Sequence, residues 1–161
     1  MEKPLTPSTE TKVTEMRVVV TVTVNQVNRT RNPQQVLDAT GRRQYTNSAV
    51  VATMPSGGTG IEENVTVEFF PISKNASDDE VAKMLEERGL TDDPYAVSAV
   101  NEADPAFADE HPNGTHWKDA DGNWCYAAFS RDDGGRSVYV YRNGIYLYGS
   151  CWLGGVRKYG A

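Results

Sequence analysis

Two alternating runs, Val138-Tyr139-Val140-Tyr141 and Ile145-Tyr146-Leu147-Tyr148, flank Arg142-Asn143-Gly144 near the end of the chain. Period-two alternation builds a strand with two unlike faces. Asn-Gly is the strongest short hairpin signal, because a type I′ turn needs positive φ at both central residues. With Asn143-Gly144 as the loop, Tyr141 faces Tyr146, Tyr139 faces Tyr148 and Val140 faces Leu147. The four tyrosines then share one face, and Val138, Val140, Ile145 and Leu147 share the other. The preceding segment extends the scheme. A connection at Asp132-Asp133-Gly134-Gly135 sets Phe129 against Val138, Ala127 against Val140 and Tyr126 against Tyr141. Trp124, Tyr126 and Ala128 join the tyrosines, while Cys125, Ala127 and Phe129 join the aliphatic side. A slip of one residue would exchange the faces, so this register is a sharp expectation.

The first half also reads as strands. From Arg17 to Val27, Val18, Val20, Val22 and Val24 alternate with Val19, Thr21, Thr23 and Asn25, which predicts a long strand with one buried face. Ser48 to Met54 and Asn64 to Phe70 read as two further strands around the Gly-rich loop Pro55–Ile61, giving an antiparallel meander. The polar stretch Asn28–Thr46 reads as an excursion with a helical turn around Gln34–Asp38. Its arginines, Arg29, Arg31, Arg42 and Arg43, are expected in solvent.

Helices are signalled in the middle. Ser77-Asp78-Asp79-Glu80 is a capping box, followed by Val81, Met84, Leu85 and Arg88 on one helical face and by Gly89 as a stop. Asp92-Asp93-Pro94 starts a second helix that runs to about Val100, and a third turn falls at Pro105–Asp109. The expected fold is α+β: antiparallel meanders at both ends of the chain, with two to three short helices (about 77–109) packed on one sheet face. Residues 1–14, which are poor in bulky apolar side chains, are expected to be a disordered tail, and 15–161 a single domain.

Charge narrows the function classes. The 161 residues carry 16 Lys and Arg against 22 Asp and Glu, a net charge of −6. Residues 1–61 contribute +3, residues 62–110 contribute −11 and residues 111–161 contribute +2. A uniformly basic nucleic-acid binder is excluded, and no direct nucleic-acid contact is expected. No apolar run approaches the roughly 20 residues of a membrane span, and the first residues lack the apolar stretch of a secretory signal, so no membrane contact and a cytoplasmic location are expected. Two cysteines, Cys125 and Cys151, are too few for a disulfide scaffold.

If the helices cover the aliphatic face, then Trp124, Tyr126, Tyr139, Tyr141, Tyr146 and Tyr148 face solvent or a partner, with Arg142 and Trp152 nearby in sequence. Tyr and Trp on rigid strands give large contact area at little entropic cost. The leading expectation is therefore a small, acidic, non-enzymatic binding protein, of the kind used as bacterial or phage accessories. It would engage a protein, a glycan or a flat ligand through this face. The other possibility for the same rings is a core under a second layer. An alternative function is an acidic inhibitor that mimics nucleic acid: Asp78, Asp79, Glu86, Glu87, Asp92 and Asp93 would enter the groove of a basic nucleic-acid-binding protein. A third is a metal- or Cys-dependent hydrolase around His111, His116 and Cys125. However, His-x4-His is not a helical ligand spacing, no Cys pair accompanies it, and Cys125 falls on the aliphatic side. No cofactor, metal or catalytic residue is expected, and the two histidines are expected in a polar loop.

Overall fold

The computed structural model describes residues 19–72, 76–142 and 151–157. The described elements run β1 (Val20–Asn28), α1 (Pro33–Ala39), β2 (Arg43–Thr46), α2 (Ser48–Val51), β3 (Ile61–Pro71), α3 (Asp78–Glu87), β4 (Leu90–Thr91), α4 (Pro94–Ala103), α5 (Phe107–Glu110), β5 (Asn113–Lys118), β6 (Trp124–Asp132), β7 (Gly135–Arg142) and β8 (Trp152–Arg157). The fold is mixed α+β around one large sheet in the order β1-β3-β8-β5-β6-β7-β2, with β4 added on β8. Pairing is antiparallel except between β5 and β8 and between β2 and β7.

The alternation in β1 holds to Val24. Val20, Val22 and Val24 turn inward, and Thr21 and Thr23 outward, where the Thr23 and Thr66 hydroxyls meet at 2.8 Å. The β1–β3 ladder then lacks the pair between Asn25 and Asn64, and Asn64 takes a φ of 55°. Asn tolerates that region better than most residues. Beyond it, Val27 rather than Gln26 is buried, so one strand supplies both Val24 and Val27 to the core.

Apolar side chains lie on both sides of the sheet. The main core joins Val24, Val27, Val65, Val67 and Phe69 with Cys125, Ala127, Phe129, Val138 and Val140, and α1, α2 and α4 close it through Leu37, Val50, Val51, Tyr95, Val97 and Val100. A smaller cluster on the other face gathers Phe70, Leu90 and Leu153 under Val81 and Leu85 of α3. Adjacent glycines of β8 mark the two layers. A Cβ on Gly154 would come within 2.6 Å of the Phe69 ring and 2.9 Å of Val97, whereas one on Gly155 would come within 2.8 Å of Leu85.

Several expectations are met and several are corrected. The capping box at Ser77 is present: Ser77 accepts from the Glu80 amide and Glu80 accepts from the Ser77 amide. Asp93 caps α4. Ser48–Met54, expected as a strand, instead begins with the helix α2, because the Asn47 side chain accepts from the amides of Ala49 and Val50 and burial of Val50 and Val51 fixes the turn. The N-terminal meander is also corrected. β1 pairs directly with β3, while the chain crosses through α1 to lay β2 in parallel on β7. The helices occupy both faces, because α3 has an apolar stripe of its own that needs a partner. The expected tail, residues 1–14, and the hairpin at Asn143-Gly144 lie outside the described residues.

Two arginines expected in solvent are buried. Arg42 donates to the carbonyls of Ser137, Pro105 and Ser130 and lies over the Phe129 ring. Its burial, with the charge of Arg136 nearby, lowers its pKa. Arg29 makes a two-pronged bond to Asp93, with Nη1 to Oδ1 at 2.9 Å and Nη2 to Oδ2 at 2.8 Å, and also reaches Glu62 and the Ser56 carbonyl. Burial works against its charge, but the bonds to Asp93 and Glu62 outweigh that and leave its pKa raised. Arg29→Met strands a buried carboxylate and is expected to cost about 3–5 kcal/mol in urea unfolding. Adding Asp93→Asn, which still caps α4, is expected to recover part of that loss. Additive losses would show that the two groups act independently.

Candidate functional site on the aromatic face

The register expected for β6 and β7 is the one observed: Phe129 pairs with Val138, Ala127 with Val140 and Tyr126 with Tyr141. Cys125, Ala127, Phe129, Val138 and Val140 are all fully buried in the main core. Trp124, Tyr126, Tyr139 and Tyr141 therefore point to the opposite face, and α3 divides that face in two.

On the covered side, α3 draws the sheet's polar and aromatic groups into its own attachment. His116 is fully buried on β5, with Nδ1 3.3 Å from Asp78 Oδ1 and Nε2 3.3 Å from Asp92 Oδ2. Trp124 stacks on its ring at 4.2 Å and 11° and donates from Nε1 to Asp79 Oδ1 at 3.1 Å. Lys118 Nζ lies 4.9 Å above the indole. Tyr126 packs against the cluster beneath α3. Desolvation pushes the Asp92 carboxyl up to about 6; His116 opposes this, and the nearby Asp78 and Asp93 reinforce it.

On the open side the face gains a ring from Tyr45, in a segment expected as a polar excursion. β2 pairs Tyr45 with Tyr139, and the rings stack at 5.0 Å and 17°. The Tyr139 hydroxyl donates to Asp132 Oδ2 at 3.3 Å, and partial burial followed by the Asp132 charge raises its pKa. Arg43 Nη1 donates to the Tyr45 hydroxyl at 3.4 Å. Tyr45 and Tyr141 are each 38% exposed, which places them among the exposed large apolar side chains of the described residues. The alternation of Arg43-Gln44-Tyr45-Thr46 was the available signal for β2, but four residues are too few to stand out from a polar stretch.

Other expected site residues lie elsewhere. Trp152 packs on the main-core side, edge-on to His111 at 5.1 Å. Arg142 also projects from the main-core side, to Asp119 Oδ2 at 3.2 Å. Period-two geometry requires both placements, since Leu153 and Tyr141 face the other way. Tyr146 and Tyr148 lie outside the described residues. Of the acidic set, Asp93 is buried against Arg29, Asp78 and Asp92 hold His116, and Asp79 accepts from Trp124; Asp79, Glu86 and Glu87 are exposed.

The expected polar histidine loop is largely strand β5. His116 lies across the sheet from His111, which stacks on Phe107 at 5.0 Å, and from Cys125, which is buried beside Thr53. Among the described residues no cluster of three or more His, Cys, Asp or Glu side chains is arranged to hold a metal ion. Burial pushes the Cys151 thiol up to about 12, which keeps it protonated and unreactive. Asp119 accepts from the Asn123 and Asp121 amides, bonds that hold its carboxyl below the usual range and close a turn before β6.

Asp92 yields a pH dependence with a definite sign. Its carboxyl titrates higher in the fold than in the unfolded chain, near 4, so the fold binds that proton more tightly. Its contribution to stability therefore falls as pH rises from about 4 to about 6 and stays low above that. Asp92→Asn is expected to raise the melting midpoint by about 5 °C at pH 7.5, about 2 kcal/mol. That gain should vanish by about pH 4 in parallel thermal melts. A gain independent of pH would show that the carboxyl is not strained.

No protein-family model matches the chain, and no curated protein or solved structure matches it.

Proposed function

We propose that the chain is a non-enzymatic binding protein whose recognition surface is the open half of the aromatic face, formed by Tyr45, Tyr139 and Tyr141. The observation that carries this reading is the exposed Tyr45 stacked on Tyr139 beside the exposed Tyr141, on adjacent strands anchored by a fully buried opposite face. Rings held this way offer amphipathic area without losing much side-chain freedom on binding, which suits a protein surface, a glycan or another flat ligand. The hydroxyls, oriented by Arg43 and Asp132, would set the direction of polar contacts.

The acidic-inhibitor alternative has less to draw on, because four of its six carboxylates already hold Arg29, His116 or Trp124. A hydrolase reading lacks a convergent set, since His116 is separated by the sheet from His111 and Cys125.

The test is capture from host lysate with wild type beside Tyr45→Ser/Tyr141→Ser, followed by titration of the captured partner. The double variant is expected to keep its circular dichroism and melting midpoint, and to bind at least about tenfold more weakly, roughly 1.4 kcal/mol. Undiminished affinity in a folded double variant overturns this surface. Global unfolding would show that the rings hold the sheet instead.

A further inference from the structure

The two edges of the sheet are built differently. At one end β2 is four residues long, pairs in parallel and carries Arg43, so it is a short, charged edge that offers little to another strand. At the other end β1 spans nine residues, Val20 to Asn28, with the sequence Val-Thr-Val-Thr-Val-Asn-Gln-Val-Asn. It has no Lys, Arg, Asp, Glu or Pro, and it alternates β-branched residues over its first five positions. Its outward edge has no strand neighbour among the described residues. Val19, directly before it, is 38% exposed.

Natural sheets normally blunt a free edge with charge, Pro, a bulge or brevity. The first half of β1 has none of these, and the one irregularity in its ladder comes only at Asn25. We infer that β1 is an assembly edge, and that its occupant is the β1 strand of a second copy of this chain, paired antiparallel about a two-fold axis near Val22.

Two features favour a second copy. A two-fold self-pair about Val22 sets each residue against the one equally far on the other side of Val22 in the second copy, so a charge in β1 would be desolvated in the new ladder or set against another residue of the same short strand. β1 has no charge to oppose. In that register Thr21 of each copy lies beside Thr23 of the other, a pairing that favours strands and that β1 already makes internally between Thr23 and Thr66. Beside the edge, a groove of about 230 Å³ is lined by Val24, Val27, Val36 and Tyr95 together with the paired Arg31 and Glu102, a partly apolar seat for side chains of an added strand.

The test is sedimentation equilibrium of the full chain from about 1 to about 100 µM, where a dimer is expected. Thr21→Lys/Thr23→Lys and Thr21→Glu/Thr23→Glu set four like charges across the pair. Each is expected to be monomeric, with self-association weakened at least tenfold and circular dichroism unchanged. Mixing the two in equal amounts is expected to restore a dimer. Thr21→Lys alone, at an exposed position without the Thr66 contact, gives the same readout if a double variant misfolds. A monomeric wild type over the whole range overturns the inference, as does a dimer that persists in the charged variants.

Discussion

The contact between Arg29 and Asp93 ties together parts of the chain that no local signal would bring together. Arg29 follows the last residue of β1, Glu62 stands near the start of β3, Ser56 belongs to the loop before it, and Asp93 is the cap of α4. Arg29, 7% exposed, thus links the end of the first strand, the start of the third and the N-terminus of α4. A buried ion pair is a poor source of net stability, because desolvation offsets most of its Coulomb attraction. It discriminates strongly against misassembly, because any arrangement that separates the partners leaves a charge unpaired in the interior. The amides of Asn101 and Asn113 do similar work between α4 and β5. They exchange hydrogen bonds at 2.9 and 3.1 Å while fully buried, and they take up the Val97 and His111 carbonyls as well.

The same logic explains where the negative charge of the middle segment goes. The run looks like a polyanionic surface in one dimension. In three, Asp93 and Asp78 begin helices, Asp92 and Asp78 enclose His116, and Asp79 takes the Trp124 indole proton. Carboxylates suit helix N-termini, where free amides and the macrodipole favour negative charge. Here two of them also fasten α3 to the sheet. Asp92 bears the cost, shown by its raised pKa: it is desolvated next to two other carboxylates, with one histidine to offset them.

Legibility tracked how local each determinant is. The β6–β7 register could be read because turn length and alternation fix it within twenty residues, and all its buried positions are as expected. The caps at Ser77 and Asp93 could be read because a cap acts over three residues. What escaped was long-range. That Ser48–Val51 is helical rests on the Asn47 side chain and on burial of Val50 and Val51, against the strand preference of Val. That α3 lies on the tyrosine side depends on Phe70 and Leu153, from strands distant in sequence, meeting Val81 and Leu85. The placement of Tyr45 needs a parallel pairing to β7 across more than ninety residues, which no pattern within Arg43–Thr46 encodes.

These long-range placements decide which part of the aromatic face is available. Its rings are chemically alike in the sequence, yet Trp124 and Tyr126 fall beneath or beside α3 while Tyr45 and Tyr141 remain accessible. The difference follows the helix, whose apolar residues Val81 and Leu85 pack on Phe70, Leu90 and Leu153, with Tyr126 against the same cluster. A tyrosine is well suited to the uncovered strands, since its ring shields the backbone and its hydroxyl keeps a polar partner, as Tyr139 does with Asp132 and Tyr45 with Arg43. Tyr45 and Tyr139 are held by their mutual stacking and by the pairing of their strands. The stacked pair is therefore a fixed aromatic step, set by the pairing of β2 with β7 and by the buried side chains on the opposite side of β7.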